Sequence, residues 1–129
     1  MEEFNIINPY SLKSLATYKF ETLSECEKKI NALHSQFLNW KTQTAELKKE
    51  WLIHLANNLE QNKTNLANTI TTDMGKPITE AIKEIEKCIE CCKFYATKTT
   101  EIEKKLNQPN GFRSPIGIIL GIMPWNFPL

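Results

Sequence analysis

The 129-residue chain predicts a helix-rich α/β fold of about four helices and short strands. Three observations carry that expectation. Apolar side chains recur at steps of three and four residues through the middle of the chain, the period of one helix face. Gly75 and Pro77 punctuate those stretches. The final stretch, Ile116 to Met123, is instead a continuous apolar run broken only by Gly117 and Gly121, the composition of a strand buried on both faces.

Taken in order, Asn8-Pro9 and the loose alternation from Leu15 to Phe20 predict a short extended segment within residues 5–20. Thr22 followed by Glu25 is a capping box, which opens a helix whose stripe is Cys26, Ile30, Leu33 and Phe37, closed by Trp40. A second helix carries Leu47, Trp51, Leu52, Leu55 and Leu59 and fades into Gln61-Asn62-Lys63. A third, shorter one carries Leu66, Ile70 and Met74. Gly75 suits the left-handed stop behind it, and Pro77 opens the next helix at its first position. That fourth helix holds Ile78, Ile82, Ile85, Ile89, Cys92 and Ala96 and runs to about Lys104. Asn107-Gln108-Pro109-Asn110-Gly111 is a cluster of turn formers, after which the chain is expected to be extended from Phe112 onward.

Pro124 stops the apolar run. Pro124-Trp125-Asn126-Phe127-Pro128 fixes two φ angles within five residues and so holds Asn126 on a stiff turn. Ligands of open parallel sheets sit beyond the carboxyl ends of strands, where a carboxamide donor would face a substrate. The alternative is that Trp125 and Phe127 anchor a rigid connection while Asn126 satisfies nearby backbone.

Sixteen Lys plus Arg against fifteen Asp plus Glu, without a basic patch, excludes a nucleic-acid-binding reading. The apolar run is far short of the roughly 18 residues that span a bilayer, and Met-Glu-Glu-Phe lacks a signal pattern, so no membrane contact is expected. Four cysteines, three of them at Cys88, Cys91 and Cys92, fit a reducing, cytoplasmic compartment rather than a disulfide framework. A closed zinc site needs four ligands, and no second pair or nearby histidine accompanies those three, so no metal is expected. Lys76 reads as a solvated loop lysine, and His34 and His54 as polar-face residues. A lone apolar strand at the end of the chain cannot satisfy its own edges, so residues 1–129 are expected to form part of a larger protein.

Residues 116–128 resemble the strand and turn that open the cofactor-binding domain of aldehyde dehydrogenases, an apolar strand followed by Pro-Trp-Asn-Phe-Pro. Ile7-Asn8-Pro9, Trp40, Asp73-Met74-Gly75-Lys76-Pro77-Ile78, Glu80-Ala81 and Glu86-Lys87-Cys88 fall in the family's order at about its spacing. Gly-Lys-Pro together with Met-Pro-Trp-Asn-Phe-Pro is similar to the branch that includes succinate-semialdehyde dehydrogenases. The resemblance implies that residues 1–129 are a partial amino-terminal and cofactor-binding domain, ending in the first strand of a Rossmann-like cofactor domain. It implies Asn126 as the side-chain donor of the oxyanion hole, and Met123, Pro124, Trp125 and Asn126 beside the nicotinamide of NAD or NADP. It further implies a small aldehyde substrate, possible succinate semialdehyde oxidation, and a homo-oligomeric complete enzyme. The family's nucleophilic cysteine, general-base glutamate and glycine-rich turn match nothing in these residues, so the segment alone is expected to be inactive. The competing reading is a non-catalytic helical interaction module or a vestigial truncated product. Two departures stand out: Tyr95 to Ser114 is a few residues short, and Ser114-Pro115 replaces the family's common acidic residue before proline.

Overall fold

A computed structural model of the chain describes residues 2–106 and 114–129. The extended amino-terminal segment is a two-stranded antiparallel hairpin, β1 Glu3–Ile7 and β2 Ser14–Lys19. Its turn is built by Asn8, whose Oδ1 accepts from the backbone N–H of Tyr10 and Ser11 at 2.9 Å each, so the asparagine shapes the loop that Pro9 begins. Phe4 stacks on Tyr18 at a centroid separation of 5.6 Å and on Phe20 at 5.0 Å, giving the small sheet an aromatic face.

Helix α1 spans Leu23–Trp40. The capping box is present in both directions, with the Thr22 side chain accepting from the Glu25 N–H and the Glu25 carboxylate accepting from the Thr22 N–H at 2.7 Å. The backbone N–H bond first, and then the Thr22 hydroxyl donating to the same carboxylate at 2.8 Å, hold the Glu25 carboxyl below its ordinary value. Because the folded-state value is depressed, this capping contribution is complete above the unfolded carboxyl's value of about 4.3 and is lost as pH falls through the lowered one. Thr22→Ala should cost about 1 kcal/mol of helix stability. It should raise the Glu25 midpoint only part of the way in a carboxyl-detected NMR titration, because the hydroxyl bond is lost while the backbone N–H bond stays; an unshifted wild-type midpoint would discard the capping account.

The expected second and third helices are one. Helix α2 runs unbroken over Ala45–Met74, because no glycine or proline interrupts it and the polar stretch Gln61-Asn62-Lys63 is tied down rather than frayed. Lys63 pairs with Glu60 at 2.8 Å on its own helix and with Glu86 at 3.2 Å on the next. Gly75 caps α2 at φ +78°, and a Cβ there would meet Pro9 Cγ at 3.1 Å, so the stop requires glycine on both counts. Helix α3 follows at Ile78–Leu106 and returns antiparallel along α2. At the far end of the pair Glu103 accepts from the Ala45 N–H at 3.0 Å, placing a carboxylate on the amino-terminus of α2.

The core is the seam between these two helices. Ala56, Ala67 and Ile70 of α2 face Ala81, Ile85 and Ile89 of α3, all buried. Ala45, Ala56 and Ala67 recur at eleven-residue steps, three helical turns apart, so a row of methyl groups lets α3 approach closely. The leucine stripe that the sequence favours is half-buried or exposed instead, with Trp51 and Leu55 on the surface. Helix α1 contributes no buried residue.

Among the described residues three helices rather than about four therefore make up the helix-rich fold. The expected terminal strand differs as well: residues 114–124 are extended in sequence pattern but join no ladder among the described residues, and Ile116, Leu120 and Ile122 are exposed. A strand buried on both faces needs neighbours on both edges, and the only hydrogen-bonded strands described here pair with each other. Gly117 adopts φ +110° and lies against the Phe37 ring, where a Cβ would stand 3.8 Å from Cε1, so the close approach it permits is to a side chain of α1. The turn formers at 107–111 and the start of the extended stretch at Phe112 lie outside the described residues.

Candidate functional site

Two prolines and one hydrogen bond shape the segment on which Asn126 sits. The Phe127 N–H donates to the Pro124 carbonyl at 3.0 Å, closing a turn with Trp125 and Asn126 at its corner. Pro124 before the corner and Pro128 after it each hold their own φ, which lowers the entropy lost in ordering the segment.

What holds this turn to the helices is a pair of charged residues at the α2–α3 junction. Gly75 turns the chain out of α2, and Lys76 follows it directly. The Lys76 ammonium donates to the Asn126 carbonyl at 2.7 Å, sits 4.6 Å from the centroid of the Phe127 ring, and pairs with the Glu84 carboxylate. Glu84, in the first turns of α3, uses its other oxygen to accept from the Leu129 N–H at 3.1 Å. Both side chains are withdrawn from water, with 12% and 6% of their surface exposed for Lys76 and Glu84 respectively. Lys76 is thus no solvated loop lysine. Removing one member of such a pair leaves the other charge buried, a change that typically costs about 3–5 kcal/mol.

Beside the turn lies an open cleft of about 400 Å³, bordered by Lys76, Glu80, Lys83, Glu84, Lys87 and the Asn126-Phe127 corner. Its charges alternate, with Lys83 bound to Glu80 at 3.0 Å. The Asn126 main chain is engaged by Lys76, while its carboxamide makes no hydrogen bond among the described residues. Met123 and Trp125 are strongly exposed on the same segment. Met123, Pro124, Trp125 and Asn126 are therefore brought together by contiguity on one rigid corner, which α2 and α3 hold through Lys76 and Glu84.

The cysteines are elsewhere. Cys88, Cys91 and Cys92 stand on α3, and none borders this cleft. Burial first, and then neighbouring charges, push the Cys88 and Cys92 thiols up, the opposite of what a thiolate nucleophile requires. Among the described residues no three His, Cys, Asp or Glu side chains converge on a metal position, and no helix is long and apolar enough to cross a membrane.

The aldehyde dehydrogenase family model matches residues 1–129. The chain belongs to the aldehyde dehydrogenase family. It is 32% identical over 128 residues to a protein of Synechocystis named as a probable NADP+ succinate-semialdehyde dehydrogenase, covering 95% of this chain and 28% of that one. It is 30% identical over 131 residues to the NAD(P)+ succinate semialdehyde dehydrogenase of Escherichia coli, again covering 95% of this chain and 28% of the relative. This aldehyde dehydrogenase chain thus spans little more than a quarter of the length of those curated relatives. Its fold resembles the crystal structure of succinic semialdehyde dehydrogenase from Streptococcus pyogenes in complex with NADP+, with a TM-score of 0.71 and 29% identity over 76% of this chain and 22% of that one. A betaine aldehyde dehydrogenase from Staphylococcus aureus, solved with NAD+, shows the same fold at a TM-score of 0.70 and 24% identity, covering 75% of this chain and 20% of that one.

The family motifs are local in sequence, which is why Asn126 and its neighbours are readable without coordinates. Glu84 is the residue that sequence reasoning passes over, and Lys76 the one it reads as solvated. Their signal is a lysine directly after a helix-stop glycine and a glutamate eight positions on, facing a seam otherwise made of alanine and isoleucine.

Proposed function

We propose that the protein oxidises a small aldehyde to the carboxylic acid with NAD(P)+, and that this segment supplies the oxyanion donor, Asn126, and part of the nicotinamide site. The observation that supports the reading most is the placement of Asn126. Its backbone is bonded by Lys76 on a proline-stiffened turn, so the carboxamide can be aimed without further ordering. When a thiolate adds to an aldehyde, the carbonyl oxygen becomes an alkoxide, and a fixed neutral donor at its future position lowers that barrier by about 2.7–4 kcal/mol in comparable sites. Asparagine suits the role because it donates without adding a charge.

The exposed indole of Trp125 and the thioether of Met123 offer an apolar surface next to that donor, which fits a planar nicotinamide ring. Met123, Pro124, Trp125 and Asn126 would border it, and when bound the dinucleotide supplies the hydride acceptor. The attacking sulfur and the general base are assigned to residues outside 1–129, and residues 116–123 to the first strand of a Rossmann-like domain. Succinate semialdehyde is the proposed substrate, because relatives and a structural neighbour carry that name. A cytoplasmic, homo-oligomeric enzyme completes the proposal.

The test is NAD(P)H production from succinate semialdehyde by two preparations. The full-length enzyme containing this segment should turn over, with NADP+ and NAD+ compared directly. The 129-residue chain alone should give none, and measurable turnover from pure chain would overturn the assignment of nucleophile and base to other residues. Full-length protein inert toward every small aldehyde would favour the second reading, a non-catalytic module, for which the uncovered apolar residues Ile30 and Leu33 of α1 speak.

A further inference from the structure

Among the described residues Glu84 is the one charged side chain buried with the α2–α3 core, and a carboxylate is an expensive group to place there. Its two oxygens are divided between the Lys76 ammonium and the Leu129 N–H, on either side of the Phe127-Pro128 step. Lys76 divides its own donors between Glu84 and the Asn126 carbonyl and lays its charge on the Phe127 ring. Every contact of the pair with the carboxyl-terminal segment falls within residues 126–129. A pair serving the helix hairpin alone would need none of them, since the seam already packs through alanine and isoleucine.

We propose that Lys76 and Glu84 are positioning residues that fix the backbone of Asn126, so that its carboxamide points at the reacting oxygen. The proposal rests on the oxyanion reading of Asn126 given above. Neither residue touches the aldehyde; both act through the corner they hold. Charge-assisted bonds to the main chain suit this task, because they set the direction of a residue while leaving its side chain available.

A stability role and a positioning role are separated by replacing both members at once. In the full-length enzyme, Lys76→Met/Glu84→Leu removes the two charges together and leaves neither buried without a partner. The expected result is an unfolding midpoint close to that of the wild type, kcat lower by about tenfold or more, and aldehyde KM and cofactor Kd within about threefold. In an Asn126→Ala background the same double replacement should change kcat by less than about twofold, because residues that act through one group are not additive. A double variant with wild-type kcat, or one whose loss persists undiminished without the Asn126 carboxamide, would overturn the positioning role.

Should the double variant not fold, Glu84→Gln decides when kcat is referred to the folded fraction at a temperature below its own unfolding midpoint, since it keeps the shape but leaves the Lys76 charge without its carboxylate. A several-fold fall in kcat at constant KM supports the proposal, and wild-type kcat overturns it. A separate readout is independent of catalysis: in the full-length protein the Leu129 amide should exchange faster in Lys76→Met/Glu84→Leu than in the wild type, and an unchanged rate would remove the latch itself. Near-normal turnover of Asn126→Ala alone marks failure of the oxyanion reading. A normal Asn126→Ala defect beside an active latch variant marks failure of the positioning role only.

Discussion

Asn126→Ala in the full-length enzyme should lower kcat by about 10²–10³-fold, the loss that follows removal of one oxyanion-hole donor. The barrier change corresponds to about 2.7–4 kcal/mol, and it should fall on kcat and kcat/KM alike, because the carboxamide is engaged when the oxygen carries charge and little before. Cofactor affinity should be spared. The apolar surface next to the donor belongs to Met123 and Trp125, and removing a carboxamide leaves both in place. Steady-state kinetics with the aldehyde varied, paired with a fluorescence titration of the cofactor, checks both halves. Turnover within about threefold of wild type would take the oxyanion role from Asn126, and a matching loss of cofactor affinity would make it a binding residue instead.

The turn at 124–127 was legible because what bends it lies within five residues, two prolines and one hydrogen bond, whereas what ties it to the helices does not. The same locality made the Thr22–Glu25 box, the Gly75 stop and the Pro77 restart readable, and with them most helix ends. What the sequence hid is what distance decides. The expected second and third helices run on as α2 because no glycine or proline breaks them, and Lys63 reaches Glu86 across the hairpin, so a polar stretch that looks like a helix end is a contact surface. Leucine periodicity points to one stripe of α2, yet the buried one is alanine, because two long helices in close contact select for small side chains and not for large ones. Lys76 looks solvated until the chain returns fifty residues later to set Asn126 and Phe127 against it. The apolar run Ile116 to Met123 has strand composition, but a ladder is a property of two segments, and composition alone names only one.

The alanine seam also sets the largest stability effect expected of the chain. Among the described residues Ile85 is the one large side chain that is essentially fully buried, at 0% exposure, while Ala56, Ala67 and Ala81 around it are equally inaccessible. Their methyl groups are fixed to the two helix backbones and have no rotamers with which to fill a gap. Ile85→Ala should therefore leave a cavity that neighbouring side chains cannot collapse into, and its cost should lie in the upper half of the roughly 2–5 kcal/mol seen for Ile-to-Ala core changes. Leu33→Ala on α1 is the matched control, since Leu33 is 53% exposed and should cost no more than about 0.5 kcal/mol. Urea unfolding of both variants, read as midpoints at constant slope, measures the contrast. Equal losses in the two would mean that the seam closes over the missing side chain, and that the methyl row admits the hairpin to a tighter packing than the one it adopts.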